Sequence, residues 1–205
     1  MKKIIVYDLN QTLYKKSSKD DFFKFICYKK DYKLIHSLQL AWMYALYSLK
    51  LINKTYFKEN FYNYLKGIPP HKVEKYAKQF WDIEFPEYFR EDMIRDIQTH
   101  SRNGIEVYII TGGFEIYTKY MEELLPVKVL GTLTKYENDN YRIKGVACNN
   151  EEKIRRLKED VKGEYELLEA YSDDKEEILY HAQKGYYLDE KGDLHLVQKK
   201  EPAEN

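Results

Sequence analysis

The feature that most narrows what this chain can fold into is one strand design used three times. Ile4-Ile5-Val6-Tyr7 is an apolar, β-branched and aromatic run that stops at Asp8-Leu9-Asn10. Val107-Tyr108-Ile109-Ile110 stops at Thr111-Gly112-Gly113, and Leu167 to Tyr171 stops at Ser172-Asp173-Asp174. Runs without polar alternation are buried on both faces, the habit of parallel strands covered by helices on each side. The expected fold class is therefore α/β, built on a parallel sheet. Each run ends in small, polar or acidic residues, which gathers them at the carboxyl edge, where open α/β sheets carry their sites.

About ninety residues separate the first two runs, with almost no Gly or Pro and no strand signal. Asp20 to Tyr28, Leu34 to Ile52, Tyr56 to Leu65 and Val73 to Phe80 read as helices, broken at Gly67-Ile68-Pro69-Pro70. This is expected to be a helical insertion folded over the sheet edge. Leu133 to Tyr136 and Tyr141 to Lys144 flank Glu137-Asn138-Asp139-Asn140, whose Asn and Asp tolerate positive φ, so a β-hairpin is expected there. The resulting division is a core of residues 1–14 and 97–200, an insertion of residues 15–96 and a frayed tail of residues 201–205.

The formal net charge is +0, which excludes a global electrostatic footprint for nucleic acid, and no nucleic-acid partner is expected. No stretch approaches the ~20 apolar residues of a membrane span, and the amino-terminal apolar run is too short for a secretory signal. The expectation is a soluble cytoplasmic protein. Cys27 and Cys148 form no ligand pattern and read as buried thiols. Oligomeric state leaves no trace in the sequence.

The candidate chemistry sits at the strand ends. Asp8, Asn10 and Thr12 form D-x-N-x-T directly after a strand, a pattern that also serves as an ordinary turn. Thr111 with Gly112 and Gly113 offers a hydroxyl and unhindered backbone N–H groups that can cradle an anion, or form a plain loop. Lys153 opens a helix, where a cation opposes the macrodipole but is well placed to meet an anion. Asp173, Asp174 and Glu177 concentrate negative charge that Mg²⁺ would relieve, though a helix start also tolerates acids.

In this order and context the residues resemble the haloacid dehalogenase superfamily, over roughly residues 1 to 190. Asp8-Leu9-Asn10-Gln11-Thr12 is similar to its first motif, Thr111 to the second, Lys153 to the third, and Asp173-Asp174 with Glu177 to the fourth. The insertion, the Ile-Thr-Gly-Gly turn, the hairpin and the Asn-Asn-Glu-Glu-Lys context look most like the phosphoserine-phosphatase-like branch. The resemblance implies a Rossmann-like core with a helical cap after strand one, and a Mg²⁺-dependent phosphatase acting on a small phosphomonoester. It implies that Asp8 attacks phosphorus and forms an aspartyl-phosphate. Thr111 and a following N–H such as that of Gly112 would hold the phosphoryl oxygens, while Lys153 neutralises them. Mg²⁺ would take Asp8, the Asn10 carbonyl and Asp173, with Asp174 or Glu177 orienting its waters or Lys153.

One residue departs from the family pattern. Where family phosphatases carry an acid–base Asp, this chain has Asn10, which cannot exchange a proton near neutral pH. General acid–base catalysis is worth about 10²–10⁴-fold, so alkyl esters should be hydrolysed more slowly by up to that factor. A specialised phosphatase with another acid (Glu115 or an insertion residue), a phosphotransferase, and a phospho-ligand-binding protein all remain compatible.

Leu34, Leu38, Trp42, Ala45 and Leu49 recur at helical spacing in a segment without Lys, Arg, Asp or Glu. A lipid-facing surface for a lipid-phosphate phosphatase is one reading. Ser37, Gln39 and Ser48 supply no basic row, so a helix packed inside the insertion is the expectation.

Overall fold

A computed structural model describes residues 1–198; the tail expected to fray, residues 201–205, lies outside them. Among the described residues the main sheet has six strands in the order β3-β2-β1-β6-β7-β8. They are β1 (Lys2–Tyr7), β2 (Glu106–Phe114), β3 (Lys128–Thr132), β6 (Tyr165–Ser172), β7 (Lys184–Leu188) and β8 (Leu194–Leu196). All neighbours pair in parallel except β7 with the edge strand β8. The chain moves outward from β1 through β2 to β3, then returns to β1's other side at β6. That reversal is the switch point at which such sheets open a crevice.

The alternation within β1 and β2 explains their unbroken apolar runs. Ile4, Val6, Tyr108 and Ile110 pack on one face against Ile154, Leu157 and Val161 of α8 (Glu151–Val161) and Ile178 and Leu179 of α9 (Glu177–His181). Ile5, Tyr7, Val107 and Ile109 pack on the other with Met93, Ile94 and Ile97 of α5 (Glu91–Arg102). Helix α5 is continuous across residue 97, where the insertion was expected to end.

Between β1 and α5 stand α1 (Ser18–Lys29), α2 (His36–Ser48), α3 (Lys54–Phe61) and α4 (Pro70–Glu84). The segment expected as one helix over Leu34 to Ile52 is a 3-10 turn, Asp31–Ile35, followed by α2. The chain leaves α2 through Leu49, and Lys50 stands at φ 56°. A second 3-10 turn, Tyr62–Leu65, ends the segment begun by α3. Pro70 begins α4, where its missing N–H costs no helical bond. The hairpin forms from β4 (Thr134–Glu137) and β5 (Asn140–Ile143), with Asn138 and Asp139 at φ 49° and 57°. Two positive φ values are what a two-residue hairpin turn demands. Two single-turn helices, α6 (Glu115–Thr118) and α7 (Met121–Leu124), link β2 to β3.

The apolar stripe on α2 is corrected by the structure. Leu34, Leu38, Trp42, Ala45 and Leu49 are exposed, and the helix buries Leu40 and Met43 instead. Helix α2 is apolar around much of its circumference, so spacing alone cannot choose its inner face. The rings of α3 choose it: Tyr44 and Tyr47 lie 5.0 and 4.8 Å from Phe57, centroid to centroid. No helix among the described residues is long and apolar enough to cross a membrane.

Candidate active site

Three adjacent strands end together, and hydrogen bonds tie their tips. The Asp8 N–H donates to the Tyr171 carbonyl at 2.8 Å, setting the first residue after β1 beside the end of β6. Gln11 takes a left-handed φ of 57°, and the Tyr14 N–H returns to the Leu9 carbonyl at 2.7 Å, curling the loop back on itself. Thr12, fully buried, accepts from the Asp173 N–H at 2.9 Å and donates to Asp173 Oδ1 at 3.3 Å. One hydroxyl thus locks the first acidic loop to the second.

Strand β2 does not stop at Ile110 as expected but runs on to Phe114. Its register with β3 shifts between Ile110 and Phe114, so residues 111–113 leave regular pairing beside Asp8. Gly113 is required there, because a Cβ would stand 2.6 Å from the Tyr117 hydroxyl. The Thr111 hydroxyl accepts from the Gly113 N–H at 3.2 Å and from Asn10 Nδ2 at 3.3 Å. Thr111 is fully buried beneath the cavity, whose wall at this strand is Gly112 and Gly113.

Asn10 occupies a fixed position. Its Oδ1 accepts from the Ser18 N–H at 2.7 Å while its amide nitrogen holds Thr111. The amide therefore joins the β1 loop, the β2 tip and the start of α1.

Lys153, third residue of α8 and 2% exposed, reaches Asp8 Oδ1 at 2.6 Å and also pairs with Glu176. Burial opposes its charge, but Asp8 and Glu176 outweigh that and hold its pKa above the usual lysine range. Here the sequence expectation is off by one residue. Glu177 begins α9 and lines a separate cleft with Ile154 and Lys158, whereas Glu176, one position earlier, is the carboxylate on Lys153. The turn sets this register: the Asp174 N–H donates to Ser172 Oγ and the Glu176 N–H to the Asp174 carbonyl. Helical spacing carries no information about such a turn.

These groups form the floor of a cavity of about 340 Å³, with Asp8, Asn10, Lys153, Asp173, Asp174 and Glu176 on one side. The opposite wall is aromatic: Tyr44 and Tyr47 of α2, Phe57 and Phe61 of α3, and Tyr62. Lys19 also lines it, donating to the Tyr44 hydroxyl at 2.8 Å with its ammonium 4.9 Å from the Phe61 ring centre. Lys19 and this wall were not singled out from the sequence, since nothing local marks which insertion residues turn toward the sheet. Glu115, considered as a substitute acid, is engaged elsewhere by Arg156 and the Gly131 N–H, at 2.8 and 2.9 Å.

The acidic floor fits a divalent cation. Burial, with Asp8 and Asp174 nearby, pushes the Asp173 pKa up to about 6, a strain that a bound cation would relieve. No cluster of three His, Cys, Asp or Glu placed to share a metal occurs among the described residues. A cation here would take two carboxylates and draw its other oxygens from backbone and water, as Mg²⁺ commonly does.

The fold has solved counterparts. A protein of unknown function from Bordetella pertussis Tohama I is 16% identical, with 90% of this chain and 89% of that one covered and a TM-score of 0.79. A phosphoserine phosphohydrolase-like protein from Francisella tularensis subsp. tularensis SCHU S4 is 21% identical, covering 90% and 86%, with a TM-score of 0.58. A phospho-aspartyl intermediate analogue of phosphoserine phosphatase matches at 16% identity over 90% and 85%, with a TM-score of 0.54. No curated protein matches the sequence. The model of the haloacid dehalogenase-like hydrolases, however, matches residues 5–178, which takes in the end of β1, the β2 tip, Lys153 and the Asp173 turn. The chain therefore belongs to the haloacid dehalogenase-like hydrolase family.

Proposed function

We propose that this protein is a Mg²⁺-dependent phosphomonoester hydrolase whose nucleophile is Asp8. The observation that carries this reading is the buried Lys153–Asp8 pair on the floor of a cavity that Asp173 also lines. A buried lysine held charged by two neighbouring carboxylates is poised to offset the charge of an incoming phosphate. Lys153 fixes Asp8 Oδ1, and Oδ2 is the oxygen for attack on phosphorus, giving an aspartyl-phosphate as the ester P–O bond breaks. A backbone N–H of the β2 tip such as that of Gly112 would be the donor for the phosphoryl oxygens, with the Thr111 hydroxyl bracing the tip from below through the Gly113 N–H. Mg²⁺, held by Asp8, the Asn10 carbonyl and Asp173, would act as the Lewis acid. Glu176 and Asp174 position Lys153 and the cation's waters.

The helices of residues 15–90 act as a cap whose aromatic wall selects a small phosphomonoester and excludes water. Asn10 favours a second reading, in which the phosphoryl group persists on Asp8 and passes to another acceptor, or a phospho-ligand is bound without turnover. Phosphate release from a phosphomonoester panel, with and without Mg²⁺, in wild type and Asp8→Ala separates these. Turnover abolished by Asp8→Ala and by metal removal supports hydrolysis. A silent wild type that binds a phosphate analogue refutes it.

A further inference from the structure

We infer that the outer face of α2 docks on an anionic lipid bilayer, an inference independent of the proposed hydrolysis. The first observation is the exposed stripe. Leu38 is 75% exposed and Trp42 64% exposed on a helix whose other side closes the catalytic cavity with Tyr44 and Tyr47. Leu34, Ile35, Leu49 and Leu51 extend the exposed apolar surface beyond both helix ends. A contiguous apolar face of this kind on one helix marks an interaction surface, unlike singly scattered exposed residues.

The second observation is charge. Residues 15–66 contain eleven Lys and only four Asp or Glu, a net +7 in a chain whose total is +0. Helix α2 carries no charged residue apart from its terminal His36, and the lysines flank it: Lys29 and Lys30 before, Lys50 after. An exposed apolar face on a segment of net positive charge matches a surface with an apolar interior and anionic headgroups. A second copy of the chain is the poorer match, because the segments flanking its α2 would bring the same positive charge to the contact. The sequence reading looked for basic residues on the polar face of α2 itself; the excess of lysine lies instead in the segments before and after the helix.

The test uses the full chain and vesicles of phosphatidylcholine with or without phosphatidylglycerol. The protein has two tryptophans, Trp42 exposed and Trp81 fully buried, so an emission blue shift on adding vesicles reports Trp42 alone. The expected result is co-sedimentation with phosphatidylglycerol vesicles, a blue shift, and loss of binding at high salt as screening shortens. Leu38→Asp with Trp42→Asp should weaken binding about ten- to a hundredfold. Leu196→Asp, at an exposed position on β8, should leave it unchanged. Circular dichroism checks that both variants fold. Absence of binding, equal binding to vesicles lacking phosphatidylglycerol, or unchanged binding by the double variant would overturn the inference. A concentration-dependent dimer abolished by the double variant, without vesicle binding, would assign the face to a second copy and overturn it too.

Discussion

Asn10→Asp introduces a proton-exchanging group at the position where the proposed hydrolysis lacks one. The structure shows that the change is sterically neutral. Asp is isosteric with Asn, one oxygen keeps the 2.7 Å bond from the Ser18 N–H, and the other can accept the Thr111 hydroxyl that Asn10 Nδ2 now faces at 3.3 Å. The Ser18 N–H belongs to the first turn of α1, where a carboxylate is favoured by about 0.3–1 kcal/mol. Added negative charge near Asp8 and Asp173 opposes that gain, so stability should change by less than about 1 kcal/mol. The chemical gain is far larger. An acid–base group worth about 10²–10⁴-fold lowers the barrier by roughly 3–5 kcal/mol. The assay is steady-state phosphate release with saturating Mg²⁺, comparing an alkyl phosphate with p-nitrophenyl phosphate, alongside thermal unfolding. If attack limits turnover, the alkyl ester should gain more, because p-nitrophenolate leaves without a proton. If breakdown of the phospho-enzyme limits turnover, both gain equally. A folded Asn10→Asp protein with no gain on either substrate would refute the assignment of Asn10 as the missing acid–base.

Lys153→Met leaves Asp8 and Glu176 buried without their cation, and should destabilise the protein by about 3–5 kcal/mol in denaturant unfolding. Adding Glu176→Gln should recover part of that loss, and an additive double variant would contradict the shared pairing. Thr12→Val removes the acceptor of the buried Asp173 N–H, with an expected cost of about 1–3 kcal/mol and weaker Mg²⁺ binding by calorimetry. Without Mg²⁺, the folded Asp173 pKa of about 6 lies above the ordinary carboxylate value, so the folded state binds the extra proton. Its contribution to stability is complete below about pH 4 and is lost as pH rises through about 6. Asp173→Asn should therefore raise Tm at pH 7.5 far more than at pH 4.5, and Mg²⁺ should stabilise only the wild type; equal shifts at both pH values would sink this account.

The apolar runs were readable because burial on both faces forces them to be continuous, and the polar residues that follow such a run lie toward the sheet edge, even though β2 itself continues to Phe114. Asp8, Thr111 and Asp173 are legible for that reason, and Lys153 through its place at the start of a helix. The Asn138-Asp139 turn was legible because positive φ is a local demand. Glu176 was not: Glu176 and Glu177 are chemically equal in the sequence, and the hydrogen bonds of one turn decide which reaches Lys153. Nor was the inner face of α2, where apolar residues on several sides left the choice to Phe57 and Phe61 of a neighbouring helix. The sequence by itself determined the α/β class, the apolar strand runs and the absence of an acid at position 10, since these follow from local pattern and residue identity. Only the tertiary structure decided which carboxylate pairs with Lys153, which aromatic rings face the cavity and which stripe of α2 meets solvent. Each of those depends on packing between segments distant in the chain, where free energy is set by contacts that spacing along one segment does not encode.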